Sequence, residues 1–161
     1  MSENLALVLE PQWEQIEVVR DRCHGFLLER NLHTDVIDAV TMVACELVEN
    51  AVKYGSYGDA TAKITVDVEV AASGLTVEVT NPVGKEDAAN LTRLDRMIQW
   101  IRGYQDPFQA YLERLKEVSV QSMDSEESGL GLVRIAYEGQ SIIDFYVNEL
   151  DILAVSAVHQ F

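Results

Sequence analysis

Residues 62–71 (AKITVDVEVA) place Ile64, Val66, Val68 and Val70 at every second position. After Ala72-Ser73-Gly74 the alternation resumes at Leu75, Val77 and Val79, and Pro82 closes it. A period of two marks a strand with one face buried, and a turn this short joins only antiparallel neighbours. Residues 142–148 and 151–158 repeat the arrangement around Asn148–Leu150, and a short apolar stretch at 4–9 ends before Pro11. Two hairpins with one apolar face each need a cover, and the segments between them supply it. Ile16, Val19, Cys23, Phe26 and Leu27 recur at helical spacing between Trp13 and about Arg30. A second helix starts after Asn31-Leu32-His33, with Thr34 or Asp35 as its cap, and stops at Gly55. Two more helices span 86–103 and 107–117, and a helix to about Glu138 opens at Gly129-Leu130-Gly131-Leu132. This order predicts a single α+β domain over residues 1–161. It is a two-layer α/β sandwich whose mixed, mostly antiparallel sheet is covered by helices on one face.

Composition narrows the partners. Twelve Lys and Arg against 27 Asp and Glu leave a net charge of −15. Gripping a nucleic-acid backbone requires clustered cations, so no nucleic-acid partner is expected, and an anionic ligand needs a pocket with its own positive potential. No apolar run approaches the ~20 residues of a membrane helix, and the first residues lack the pattern of a secretory signal. Two distant cysteines, Cys23 and Cys45, fit buried thiols in a reducing cytoplasm better than a disulfide or metal framework.

The main chemical signal lies on the second helix, in Glu46-Leu47-Val48-Glu49-Asn50-Ala51-Val52-Lys53-Tyr54. At about 100° per residue, Glu46, Asn50 and Lys53 share a sector of roughly 60°. Val36, Val40, Val43, Ala44, Leu47 and Ala51 form the adjoining apolar arc, while Glu49 falls further round, toward solvent. A polar stripe bordering a buried face can line a cleft. Asn50 offers a hard oxygen for Mg²⁺, Glu46 can accept a proton from a hydroxyl, and Lys53 can meet a phosphate. A solvated helix face with the same residues is the alternative that spacing alone leaves open.

The second signal is Ser128-Gly129-Leu130-Gly131-Leu132, where a polar loop (119–128) meets a helix. Glycines there let the backbone approach an anion, and the free N–H groups and dipole of the helix start favour phosphate. No GKS or GKT follows, and no third glycine completes a dinucleotide fingerprint.

In this order and spacing, ELVENAVKYG and SGLGL resemble the GHKL superfamily of gyrase, the heat-shock chaperone, histidine kinases and mismatch-repair ATPases. The finer likeness is to small bacterial serine kinases that act as anti-sigma factors in partner-switching systems. The resemblance implies a histidine-kinase-like ATPase fold that binds ATP and Mg²⁺. Asn50 would hold the metal and Glu46 would be the base. Lys53 would lie near phosphate and Tyr54 near the adenine. Gly129, Leu130 and Gly131, entered from Ser128, would cradle the phosphates, and 119–128 would close over the nucleotide. It further implies a serine/threonine kinase acting on a small regulatory protein, an anti-sigma-factor-antagonist-like protein or a sigma factor, in the cytoplasm. A non-catalytic GHKL-fold regulator that binds a partner, with weak or no nucleotide binding, is the rival.

Two departures bear on that choice. The family carries an Asp-x-Gly-x-Gly box whose Asp accepts from the adenine amino group. Here the chain reads Thr80-Asn81-Pro82-Val83-Gly84: the carboxylate is absent, Pro82 stands at the first glycine, and Asn81 offers only an amide oxygen beside Gly84. The segment 86–117 is also a long helical insert. Its Ile98, Trp100, Ile101, Tyr104, Phe108, Tyr111, Leu112 and Leu115 either pack onto the sheet or expose a patch for a partner or a homodimer. His24, His33 and His159 read as structural or surface residues, and Arg134 as an ion-pairing one.

Overall fold

A computed structural model describes residues 3–119 and 130–161. The chain runs β1 (Glu3–Leu9), α1 (Gln15–Leu28), α2 (Thr34–Tyr54), β2 (Ile64–Ala71), β3 (Gly74–Pro82), a 3-10 turn (Lys85–Asp87), α3 (Ala88–Arg102), α4 (Pro107–Ser119), α5 (Leu130–Tyr137), β4 (Ser141–Val147) and β5 (Ile152–Gln160). The strands form one sheet in the order β1-β2-β3-β5-β4. Every pairing is antiparallel, so the sheet is not mixed.

The register makes the alternation into layers. Leu7, Val66, Val79, Val155 and Phe145 stand in one row across the sheet, and Leu5, Val68, Val77, Ala157 and Ile143 in another. These rows meet the apolar sides of the helices, where Val19, Leu27, Val40, Val48, Val133 and Ile135 are almost wholly buried. The opposite face carries Asp67, Glu78, Ser156 and Asp144 in one row and a side-chain hydrogen bond between Thr65 and Thr80. Gly74 is required at its turn: its φ is +157°, and a Cβ there would lie 2.3 Å from the His159 carbonyl oxygen.

Several local expectations need correction. The N-cap of α2 is His33, not Thr34 or Asp35; its Nδ1 accepts the Asp35 N–H at 3.2 Å. Thr34 is already the first helical residue, so an imidazole takes the role expected of a hydroxyl or carboxylate. At its other end α2 is anchored to the sheet. Gly55 N–H donates to Ala51 O, the Tyr57 hydroxyl donates to the same carbonyl at 2.6 Å, and Ser56 N–H donates to Pro82 O at 2.9 Å.

The insert begins with the 3-10 turn rather than directly with a helix. Ile98 and Ile101 are buried, and Trp100 and Tyr111 pack partly against the core. Phe108 and Tyr111 set their rings about 5 Å from Tyr137 on α5. Most of its large side chains therefore join helices to one another, while Phe108 and Leu115 stay partly exposed. The loop expected at 119–128 lies outside the described residues, except that Ser119 ends α4. Both cysteines are buried, and burial pushes each thiol up to about 11, leaving them protonated and inert.

Ile135 joins α5 to this core and is fully buried. Ile135→Ala should destabilise the fold by about 2–5 kcal/mol, read as a lower urea midpoint with an unchanged slope.

Candidate functional site

The apolar arc of α2 packs on the sheet and fixes the helix about its axis, which turns Glu46, Asn50 and Lys53 toward a neighbouring opening. These three line one cavity of about 450 Å³ together with Tyr54, Asn81 and Gly131. That volume suits a nucleotide-sized ligand. β3, α3, α4 and α5 complete the wall with Val79, Val83, Leu91, Leu94, Arg114 and Leu132. The two sequence motifs thus face one space, although they lie about 80 residues apart in the chain.

Direct contacts join them. Arg134 Nη1 donates to Glu46 Oε1 at 2.5 Å, and Arg134 Nε donates to Glu138 at 2.9 Å. A Cβ on Gly131 would lie 2.7 Å from Glu46 Oε2, closer than real contacts allow. The missing side chain therefore lets the first turn of α5 close onto the α2 carboxylate. Glu46 is largely buried, with a side chain 15% exposed. Burial first, and then the charge of Glu49, raise its pKa, while Arg134 pulls the other way. A carboxyl held above its usual range is better suited to receive a proton than an ordinary surface glutamate.

Asn50 is half-buried beside it and presents the hard oxygen that Mg²⁺ takes. Glu49, expected in solvent, also lines the cavity. Glu49 acts electrostatically on Arg20 of α1, and Trp13 lines the same cavity, so the wall extends past the stripe on the α1 side. Lys53 is exposed at the cavity edge, its Nζ 5.2 Å from the Tyr54 ring centroid, a cation–π arrangement that holds both at the mouth.

In the altered glycine box, strand alternation decides which residue faces the ligand. Thr80 points to the open face of the sheet and bonds Thr65. Asn81 points inward, is 4% exposed, and donates Nδ2 to Pro82 O at 3.0 Å. Gly84 and Leu130 are not among the residues lining the cavity. The Gly84 N–H is taken by Asp87 Oδ2 at 2.7 Å. Ser128 and Gly129 lie outside the described residues. Arg134 is an ion-pairing residue as expected, although one of its partners is the half-buried Glu46 rather than a surface acid.

Sequence reasoning missed Trp13, Asp87, Asn90, Arg93 and Arg114, which also line the cavity. Lys53, Arg93 and Arg114 bring three of the chain's 12 basic residues to this one space. Arg114 is only 12% exposed and pairs with Glu117 at 2.6 Å. The signal was faint, because the insert draws attention by its apolar side chains and its arginines fit no motif. The same lining holds the carboxylates of Glu46, Glu49 and Asp87, so the cavity balances three cations against three acids where the whole chain stands at −15.

Residues 9–137 match the family model described as the histidine kinase-like ATPase domain. Among solved structures, a chain of the SiaB–SiaC complex from Pseudomonas aeruginosa is similar, with a TM-score of 0.72 and 22% identity over 96% of this chain and 88% of that one. At that identity the likeness carries the fold. No curated protein matches the chain significantly.

Because folding raises the Glu46 pKa, the native state keeps a proton that the unfolded chain releases. The Glu46 contribution to stability therefore falls as pH rises from the ordinary carboxylate value through the raised native one. Arg134→Gln removes the opposing charge and should carry this fall to higher pH, whereas Glu46→Gln should abolish it. Urea midpoints across roughly pH 4–8 measure both effects.

Proposed function

The chain belongs to the histidine kinase-like ATPase family, and on that premise we propose that it binds Mg-ATP and phosphorylates a serine or threonine of a small protein partner. The observation that carries this reading is the convergence of Glu46, Asn50, Lys53, Asn81 and Gly131 on one cavity. Asn50 presents a hard amide oxygen to this cavity, a donor that fits Mg²⁺, an ion that takes few protein ligands and keeps phosphate and water. When bound, the metal would neutralise phosphate charge.

The remaining chemistry belongs to the chain. The α5 start and the cations of α2, α3 and α4 hold the triphosphate, and burial excludes water from it. An acceptor hydroxyl oxygen forms the new bond to the γ-phosphorus while the bond to the β–γ bridging oxygen breaks, releasing ADP. Glu46 receives the hydroxyl proton. For it to do so Arg134 must release Oε1 or leave Oε2 to the substrate. A small regulatory partner of the anti-sigma-antagonist or sigma-factor kind, in a cytoplasmic switch, is the setting that this reading favours. The similar solved structure is itself a two-protein complex. No helix among the described residues is long and apolar enough to cross a membrane.

Two observations favour a second reading. Glu46 is engaged by Arg134, and the glycine box lacks its carboxylate. A regulator that binds nucleotide and partner without transferring phosphate would tolerate both.

Mg-ATP at 100 times its Kd should stabilise the fold by about 2.7 kcal/mol, read as a rise in Tm. No rise at millimolar ATP would remove the kinase reading and leave a regulator that binds its partner without nucleotide. Glu46→Ala should keep the rise and abolish phosphate transfer to the partner, whereas Asn50→Ala should abolish the Mg²⁺ dependence of binding. Transfer that survives Glu46→Ala would refute the assigned base, and binding without any transfer by the wild type would select the second reading.

A further inference from the structure

The two edges of the sheet are finished differently. The order β1-β2-β3-β5-β4 leaves β1 and β4 each with one side unpaired. In an antiparallel ladder, successive residues turn their N–H and C=O to opposite neighbours. The β2–β3 hairpin closes at Ala71 and Gly74, so Ile64, Val66, Val68 and Val70 bond toward β1 and meet Leu9, Leu7, Leu5 and Glu3. Asn4, Ala6 and Val8 therefore turn their backbone groups outward. The same alternation carried across β3 and β5 turns Ile143 and Phe145 outward on β4.

The middle of the β4 edge is occupied. Arg102 Nη2 donates to Ile143 O at 2.6 Å, and the Phe145 N–H donates to Asp144 Oδ1 at 2.9 Å. Arg102 also stands 3.8 Å from Asp144, so a charged pair closes this edge. On β1, no described residue takes the outward backbone groups of Asn4, Ala6 and Val8. The register with β2 runs from Glu3 to Leu9 without a bulge. Residues 4–9 carry no charge and no proline, and Val8 is 71% exposed. The flanking acids are already held within the chain, Glu3 by Arg30 at 2.7 Å and Glu10 by Lys63. An edge this regular and uncharged is a template for a further strand.

We propose that the added strand is β1 of a second copy, so that a two-fold dimer joins two five-stranded sheets into one. The strand matches itself. An axis at Ala6 sets Asn4 opposite Val8 of the second copy, Leu5 opposite its Leu7, and Ala6 opposite its Ala6. The outward groups of the three residues then find partners, and no two like charges face each other. On the buried side Leu5 and Leu7 carry the apolar layer across the junction. The closed β4 edge stops the assembly at two, where two open edges would permit a filament. No residue of β1 lines the ligand cavity, so the interface stands apart from the nucleotide-binding reading.

Sedimentation equilibrium of the full chain, at physiological ionic strength and micromolar concentrations, reads the mass. The wild type should reach twice the 18.0 kDa of one chain and no more. Ala6→Pro removes an N–H on the side that β2 does not use, so it should keep the fold and give the single-chain mass. Ala6→Lys and Ala6→Glu set like charges face to face at the axis. Each alone should be a monomer, and an equal mixture of the two should regain the double mass. Ala6 is exposed, so these two variants decide the matter even where the proline variant fails to fold. A wild type that stays single at every concentration overturns the proposal, as does a species larger than two copies. So does a dimer that survives Ala6→Lys and Ala6→Glu, or a mixture that stays monomeric.

Discussion

The close approach of α5 to α2 is the constraint on which the site depends. Gly131 has no side chain, so the first turn of α5 comes within contact of Glu46, and Arg134 on the same helix locks the carboxylate at 2.5 Å. That contact holds together two motifs separated by a hairpin and a helical insert. Burial of Ile135 and Val133 beneath α5 supplies the force. The ion pair supplies the register, because a half-buried carboxylate left without Arg134 would be strongly disfavoured. The environment of Glu46 and the placement of the α5 start are thus consequences of a single contact.

Charge distribution gives the site its polarity. An acidic chain repels polyanions at long range, yet Lys53, Arg93 and Arg114 meet at one cavity. Two of them come from the helical insert, so that segment is part of the pocket wall as well as a packing element. The cavity also holds Glu46, Glu49 and Asp87, so a small anion there meets a balanced set of charges rather than the net acidity of the surface, which water screens beyond about 8–10 Å. The same arrangement disfavours a long polyanion that must also lie along the acidic surface.

Much of the fold was legible because it depends on patterns that cannot be moved. The alternation of Ile64, Val66 and Val68 fixes a face, and Gly55 ends α2 where helical spacing stops. The cavity motif was legible for a related reason: Glu46, Asn50 and Lys53 border an apolar arc, so burial of the arc aims the stripe. The inward position of Asn81 continues the alternation of Leu75, Val77 and Val79 and was legible with it. Other features depend on which neighbours arrive in space. Glu49 lies off the stripe, yet it lines the same cavity. His33 caps α2 although Thr34 and Asp35 are the better formal candidates. Asp87, Arg93 and Arg114 belong to no spacing rule, and tertiary packing alone gathers them.

The central claim is that the α2 stripe and the α5 helix start enclose a nucleotide between them. Amide chemical-shift mapping with a non-hydrolysable Mg-ATP analogue measures this directly. The account predicts the largest shifts at Asn50, Lys53, Asn81, Asp87 and Gly131, with Asp67, Glu78 and Asp144 on the open sheet face unmoved. Shifts concentrated on that open face, with the α2 and α5 residues silent, would contradict it.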